Sequence, residues 1–167
     1  MTMYMNSKKL RMSLTSDQLL KKFKALADNV KQDLKKKGYA IPLERENGSI
    51  SLENYVIEKD LDGFFCIKNH VGDVIQKNIN LPQSALLIAN AFAVGKMGDK
   101  NIYNLDQEYG YGVFEMTLLK KNANRSLKKK NIDRADFLYT KLKILEFRVR
   151  STKNTIISRF EKLRNLH

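Results

Sequence analysis

Hydrophobic positions change their period along this chain, and each change marks a different element. Leu19, Leu20, Phe23, Leu26, Ala27, Val30 and Leu34 recur at helical spacing on one stripe, with Lys21, Lys22, Lys24, Lys31 and Lys35 mostly outside it. Thr15 and Gln18 stand at capping-box spacing, and Asp17 suits the positive end of a helix. Lys35, Lys36 and Lys37 suit the negative end, while Gly38 and Pro42 stop the helix. The pattern predicts a helix over 15–37, preceded over 1–14 by a flexible arm or a short helix docked on the body.

From Leu52 to Ile79 the pattern becomes short and β-rich: Tyr55-Val56-Ile57, Phe64-Phe65-Cys66-Ile67, then Val74-Ile75 with Ile79. Asp62-Gly63 and Asn69 to Asp73 carry turn residues, so the expectation is a three-stranded antiparallel meander. So small a sheet needs a helix over its apolar face. The run from Leu81 to Val94 is apolar nearly all round, with Pro82 at its first turn and Gly95 just past its end. It is the expected cover.

The last third reads as a helical hairpin. Leu105, Tyr109, Val113, Met116, Leu119, Ala123 and Leu127 form one stripe, with Gly110 and Gly112 marking a kink or a later start. After Asn131, a capping residue, Ala135, Leu138, Leu142, Leu145, Val149, Thr152, Ile156, Phe160 and Leu163 alternate in threes and fours. About 33 residues at 1.5 Å each give a helix on the order of 50 Å long. The predicted fold is α+β and predominantly α: an N-terminal helix, a three-stranded meander covered by a buried helix, and a long basic C-terminal hairpin. The expected divisions are an arm over 1–14, an α+β core over 15–100 and the hairpin over 101–167.

Composition changes this picture mainly through charge. The net charge is +13, and it is unevenly distributed. Residues 1–38 hold ten Lys/Arg and three Asp/Glu, residues 39–116 six and eleven, and residues 117–167 fifteen and four. Two basic ends flanking an acidic middle point to a polyanion partner, or to contacts between basic and acidic parts of neighbouring copies. Lysine outnumbers arginine 23 to 8 beside abundant Asn and Ile, a profile that an AT-rich genome also produces on solvated faces. The longest apolar run, Leu81 to Val94, is shorter than the roughly 20 residues a membrane span needs. The N-terminus lacks a signal-peptide pattern, and Cys66 is the single cysteine, so a cytoplasmic protein with an inert buried thiol is expected.

Catalytic chemistry finds little footing. Two histidines, His70 and the terminal His167, give neither a Cys/His metal cluster nor a nucleophile–His–acid triad. Glu58, Asp60 and Asp62 alternate along a strand but lack the further ligands of a calcium loop, and acidic residues there also serve as edge protection. No phosphate loop or dinucleotide fingerprint is present. Tyr109-Gly110-Tyr111-Gly112 interleaves aromatic rings and glycines, which offers stacking faces to unpaired bases or places one or both tyrosines in the core. No enzyme, cofactor or metal is expected.

What remains is the basic end. Lys120, Lys121, Arg125, Lys128, Lys129, Lys130 and Arg134 concentrate at the tip of the expected hairpin. Lys141, Lys143, Arg148, Arg150, Lys153, Arg159, Lys162 and Arg164 continue along the last helix. Such residues neutralise phosphates without reading bases. The expected function is a non-enzymatic, sequence-tolerant nucleic-acid-binding protein whose partner is DNA or RNA, or else an acidic protein surface. The alternative is a structural or assembly protein that forms a homo-oligomer through Leu142, Leu145, Val149 and Ile156. The turn-punctuated stretch Asp60–Lys96 running into Leu81-Pro82-Gln83-Ser84 resembles small uncharacterised proteins of marine tailed phages. The resemblance implies virion or assembly components and nucleic-acid-associated proteins as classes, located in host cytoplasm or virion, and it carries over no functional residue.

Overall fold

Five short strands joined by tight turns form one antiparallel sheet in the computed structural model, which describes residues 42–164. They are β1 (Leu43–Glu44), β2 (Ile50–Leu52), β3 (Tyr55–Lys59), β4 (Phe65–Lys68) and β5 (Val74–Ile79), in sequence order across the sheet. The expectation of a three-stranded meander is corrected by β1 and β2, which extend it beyond β3 with Glu44 opposite Ile50 and Ile50 opposite Ile57. Strands of two and three residues are too short to display a period of two, so pairing rather than pattern defines them. The expected arm over 1–14 and helix over 15–37 lie outside the described residues.

Three of the turns repeat one construction. Arg45, Asp60 and Asn69 each donate their N–H to the carbonyl four residues on, at 2.8, 2.8 and 3.0 Å, with a positive-φ glycine (Gly48, Gly63, Gly72) just before the return strand. The Asp60 carboxylate accepts from the N–H groups of Asp62 and Phe64, and the Asn69 side chain from those of Val71 and Asp73. Short side-chain acceptors at the turn entrance replace the missing main-chain partners.

Alternate side chains bury one sheet face: Ile50, Leu52, Ile57, Phe65, Ile67 and Ile79 pack on Ala85, Leu86, Ile88 and Ala89 of α1 (Pro82–Ala93). Gly95 (φ 89) ends this helix, with the Lys96 N–H returning to the Ala91 carbonyl and the Gly95 N–H to Phe92.

Two long antiparallel helices follow, α2 (Lys100–Lys128) and α3 (Ile132–Arg164). Tyr109, Val113 and Met116 meet Leu142, Leu145 and Val149 in their seam. The helix runs unbroken from Lys100 through Gly110 and Gly112, so neither marks a later start. A Cβ on Gly112 would stand 2.5 Å from the Val149 side chain, and one on Gly110 2.4–2.7 Å from the Asn80 side chain. Close packing, not flexibility, explains both glycines. The Asn131 side chain accepts from the Arg134 N–H at 3.2 Å and caps α3.

The sheet and α1 sit against the base of this hairpin, where Ile102 and Phe160 join their core. The join is polar at one point. Asp106 of α2, fully buried, accepts from the Asn80 N–H at 2.7 Å, the Leu81 N–H at 2.9 Å and the Asn80 amide at 3.1 Å. Leu81 starts α1 without a capping side chain of its own, so the Asp106 carboxylate supplies negative charge at that helix end. Towards the tip the two helices hold each other: Ala123, Ala135 and Leu138 are buried, and the Tyr139 hydroxyl bonds the Asn124 side chain.

Candidate nucleic-acid interface

The tip gathers the predicted cations. Lys121, Arg125, Lys128, Lys129, Lys130 and Arg134 are exposed and Lys120 is half-buried, while Asp133 is the single carboxylate between 117 and 134. Lys121, Arg125 and Lys128, at spacings of four and three, share one face of α2.

The end of α2 uses the same closure as the end of α1, with a different residue at the critical place. The Asn131 N–H returns to the Ser126 carbonyl and the Lys130 N–H to Leu127, and Lys130 takes φ 59 where α1 has Gly95. The left-handed region costs a side-chain-bearing residue about 1 kcal/mol or more. A lysine there places its charge at the turn between the helices. The variant Lys130→Gly is therefore expected to raise stability by about 1 kcal/mol in chemical denaturation and to lower nucleic-acid affinity in a binding titration. A purely solvating lysine would give the first effect without the second.

Cations farther along α3 do not join this surface. Arg150 pairs with Glu146 at 2.9 Å, and Arg159 lies 4.0 Å from Asp99. Lys153 is half-buried, and burial holds its ammonium below the usual lysine range. Lys141 stacks over the Phe137 ring. Lys143, Arg148 and Lys162 are exposed at angles spread around the helix, and the Arg164 side chain lies outside the described residues.

The self-association seam is corrected in its location. Leu142, Leu145, Val149 and Ile156 are buried inside the chain, in the core shared with α2. A heptad pattern reports a helical partner but not whether that partner belongs to the same chain.

One feature of α2 escaped the sequence reading. Tyr111, Phe114 and Leu118 are 74%, 58% and 44% exposed and continue at spacings of three and four into Lys121, Arg125 and Lys128. The spacing is legible in the sequence as a second stripe beside the buried one. Within the Tyr-Gly-Tyr-Gly stretch the two rings separate: Tyr109 is in the core and Tyr111 outside. A cavity of about 470 Å³ opens beside this stripe, walled by Phe64, Tyr111 and Phe114 and by the amides of Asn78, Asn80 and Gln107.

The remaining candidates have structural uses. Glu58 pairs with Lys68 at 2.8 Å, and Asp60 closes its turn. Among the described residues no group of three or more His, Cys, Asp or Glu could hold a metal ion. His70 lies exposed in a turn. Cys66 is half-buried, and burial, reinforced by the Glu58 carboxylate, pushes its thiol above the usual range. Little thiolate then forms at neutral pH. Alkylation by iodoacetamide at pH 7.5 is accordingly expected to run several-fold slower than in the unfolded chain; equal rates would contradict this environment. Among the described residues no helix is long and apolar enough to cross a membrane.

Compared with family models, curated proteins and solved structures, the chain matches none of them.

Proposed function

We propose that this protein binds nucleic acid through the α2–α3 tip, contacting phosphates without reading sequence. The observation that carries the reading is the cluster of Lys120, Lys121, Arg125, Lys128, Lys129, Lys130 and Arg134 around one turn, seven cations against the two carboxylates Asp133 and Asp136 at the start of α3. Cations gathered at one end of the hairpin raise the local potential and release counterions from a polyanion. Lys130 adds support, because its backbone conformation favours glycine. Hydrogen–deuterium exchange with and without a single-stranded oligonucleotide tests the location. Slowed exchange centred on residues 117–134 is expected; slowing confined to other regions would place binding elsewhere and contradict the proposal.

A second reading, self-assembly, draws on Phe137, Ile144 and Phe147, which stand 55%, 60% and 75% exposed on α3. It predicts an oligomer in light scattering that mutation of the basic tip leaves intact.

A further inference from the structure

We infer that the cavity beside Tyr111 receives an unstacked base of a single strand, whose backbone then follows the exposed face of α2 to the basic tip. The inference rests on the nucleic-acid reading above and goes further by naming the form of the partner and the place where a base sits.

The stripe has a direction. Tyr111, Phe114 and Leu118 come first and Lys121, Arg125 and Lys128 follow, all on one helical face. At 1.5 Å per residue the apolar part is about 10 Å long and the basic part begins about 10 Å beyond Phe114. Successive cations then stand about 4.5–6 Å apart along the helix axis, within reach of neighbouring phosphates of an extended strand for side chains of this length. Aromatic faces accept any base by stacking, and cations beside them hold the backbone. A duplex keeps its bases stacked on one another, so it would use the cations alone.

The cavity gives the aromatic part depth. Its volume, about 470 Å³, falls in the range of small-molecule sites and accommodates one base with its sugar. Phe64 is held at its wall by the turn: its N–H bonds the Asp60 carboxylate and its carbonyl accepts from the Asp60 N–H. Gly110 forms part of the lining, and Asn80 packs against it at a distance no Cβ would allow. The Asn80 amide nitrogen donates to the Asp106 carbonyl and carboxylate, and the Gln107 amide nitrogen to the Asn78 carbonyl and the same carboxylate. Both amides thus have their donors engaged; the Asn80 oxygen lies against Gly110, and the carbonyl oxygen of half-buried Gln107 is the acceptor offered to a ligand. A base edge carrying an exocyclic amino group complements it, and cytosine is the smallest base that has one.

The test is fluorescence anisotropy with three labelled probes: a twelve-residue oligodeoxycytidylate, a strand of equal length made of abasic units, and a duplex. The intact single strand is expected to bind about tenfold or more tightly than the abasic strand. Tyr111→Ala with Phe114→Ala is expected to abolish that difference while leaving binding of the abasic strand unchanged. Both side chains are exposed, and circular dichroism checks that the helices persist. Equal affinity for the intact and abasic strands would overturn the inference and leave phosphate binding at the tip standing. No binding of any probe at low salt would overturn both. If the double substitution instead dissociates an oligomer without changing the preference for bases, the stripe is a protein-binding surface and the inference fails.

Discussion

Asp106→Ala is expected to destabilise the protein by about 3–5 kcal/mol, a large part of the 5–15 kcal/mol that holds a domain together. The loss has a specific origin. Asp106 is fully buried, and its removal leaves the N–H groups of Asn80 and Leu81 without their acceptor at the start of α1. Each buried unsatisfied donor costs about 1–3 kcal/mol. The same carboxylate bonds the Asn80 and Gln107 amides, so the polar join between the sheet and α2 goes with it. For a chain of this size the midpoint of thermal unfolding should fall by roughly 10 °C. A fall of under about 1 kcal/mol in denaturant titration would show that the join is not structural.

The same residue sets a pH dependence. Burial raises the Asp106 carboxyl above its ordinary 3.8, and the hydrogen bonds from Asn80 and Leu81 oppose that rise without cancelling it. The folded state therefore holds this proton more tightly than the unfolded state does. Its contribution to stability is full below pH 3.8 and is lost as the pH rises through the raised value. Asp106→Asn should remove that decline from the stability profile, because an amide does not titrate there.

The second large effect falls on binding. Reversing Lys128, Lys129 and Lys130 to Glu together is expected to weaken nucleic-acid affinity about a hundredfold or more at low salt, and to flatten the salt slope by about two for a single strand. All three side chains are exposed. Unfolding midpoints should move by no more than about 1 kcal/mol. Loss of affinity with an unchanged slope would indicate an effect on folding or shape instead of lost phosphate contacts.

How far the sequence revealed this arrangement differs from element to element. Pro82 and Gly95 bracket α1 because local chemistry alone dictates a start and a stop. Asn131 separates α2 from α3 for the same reason, its side chain capping the second helix. Gly110 and Gly112 are ambiguous as sequence, since a break in the helix and close helix packing both select glycine. Only the Asn80 and Val149 contacts decide between them. β1 and β2 carry too few residues for a period to register. Asp106 is one polar residue in a long helix until the chain brings Asn80 and Leu81 to it from 26 and 25 residues away.

The candidate site divides in the same way. Clustered lysines and arginines at a turn are visible as sequence, because charge density needs no partner to be recognised. The Tyr111, Phe114 and Leu118 stripe is periodic too, but apolar periodicity alone predicts burial, and only the fold shows that this face is outside. Leu142, Leu145, Val149 and Ile156 present the reverse case: a seam available in principle to a second copy is occupied by α2 of the same chain.

The most direct test of the central claim is the affinity of the purified protein for a labelled single strand, measured by anisotropy from about 50 to about 200 mM salt. Seven cations at the tip, if each meets a phosphate, predict a loss of about a thousandfold across that range. An absence of binding at the lowest salt, or an affinity that salt does not change, would contradict the account.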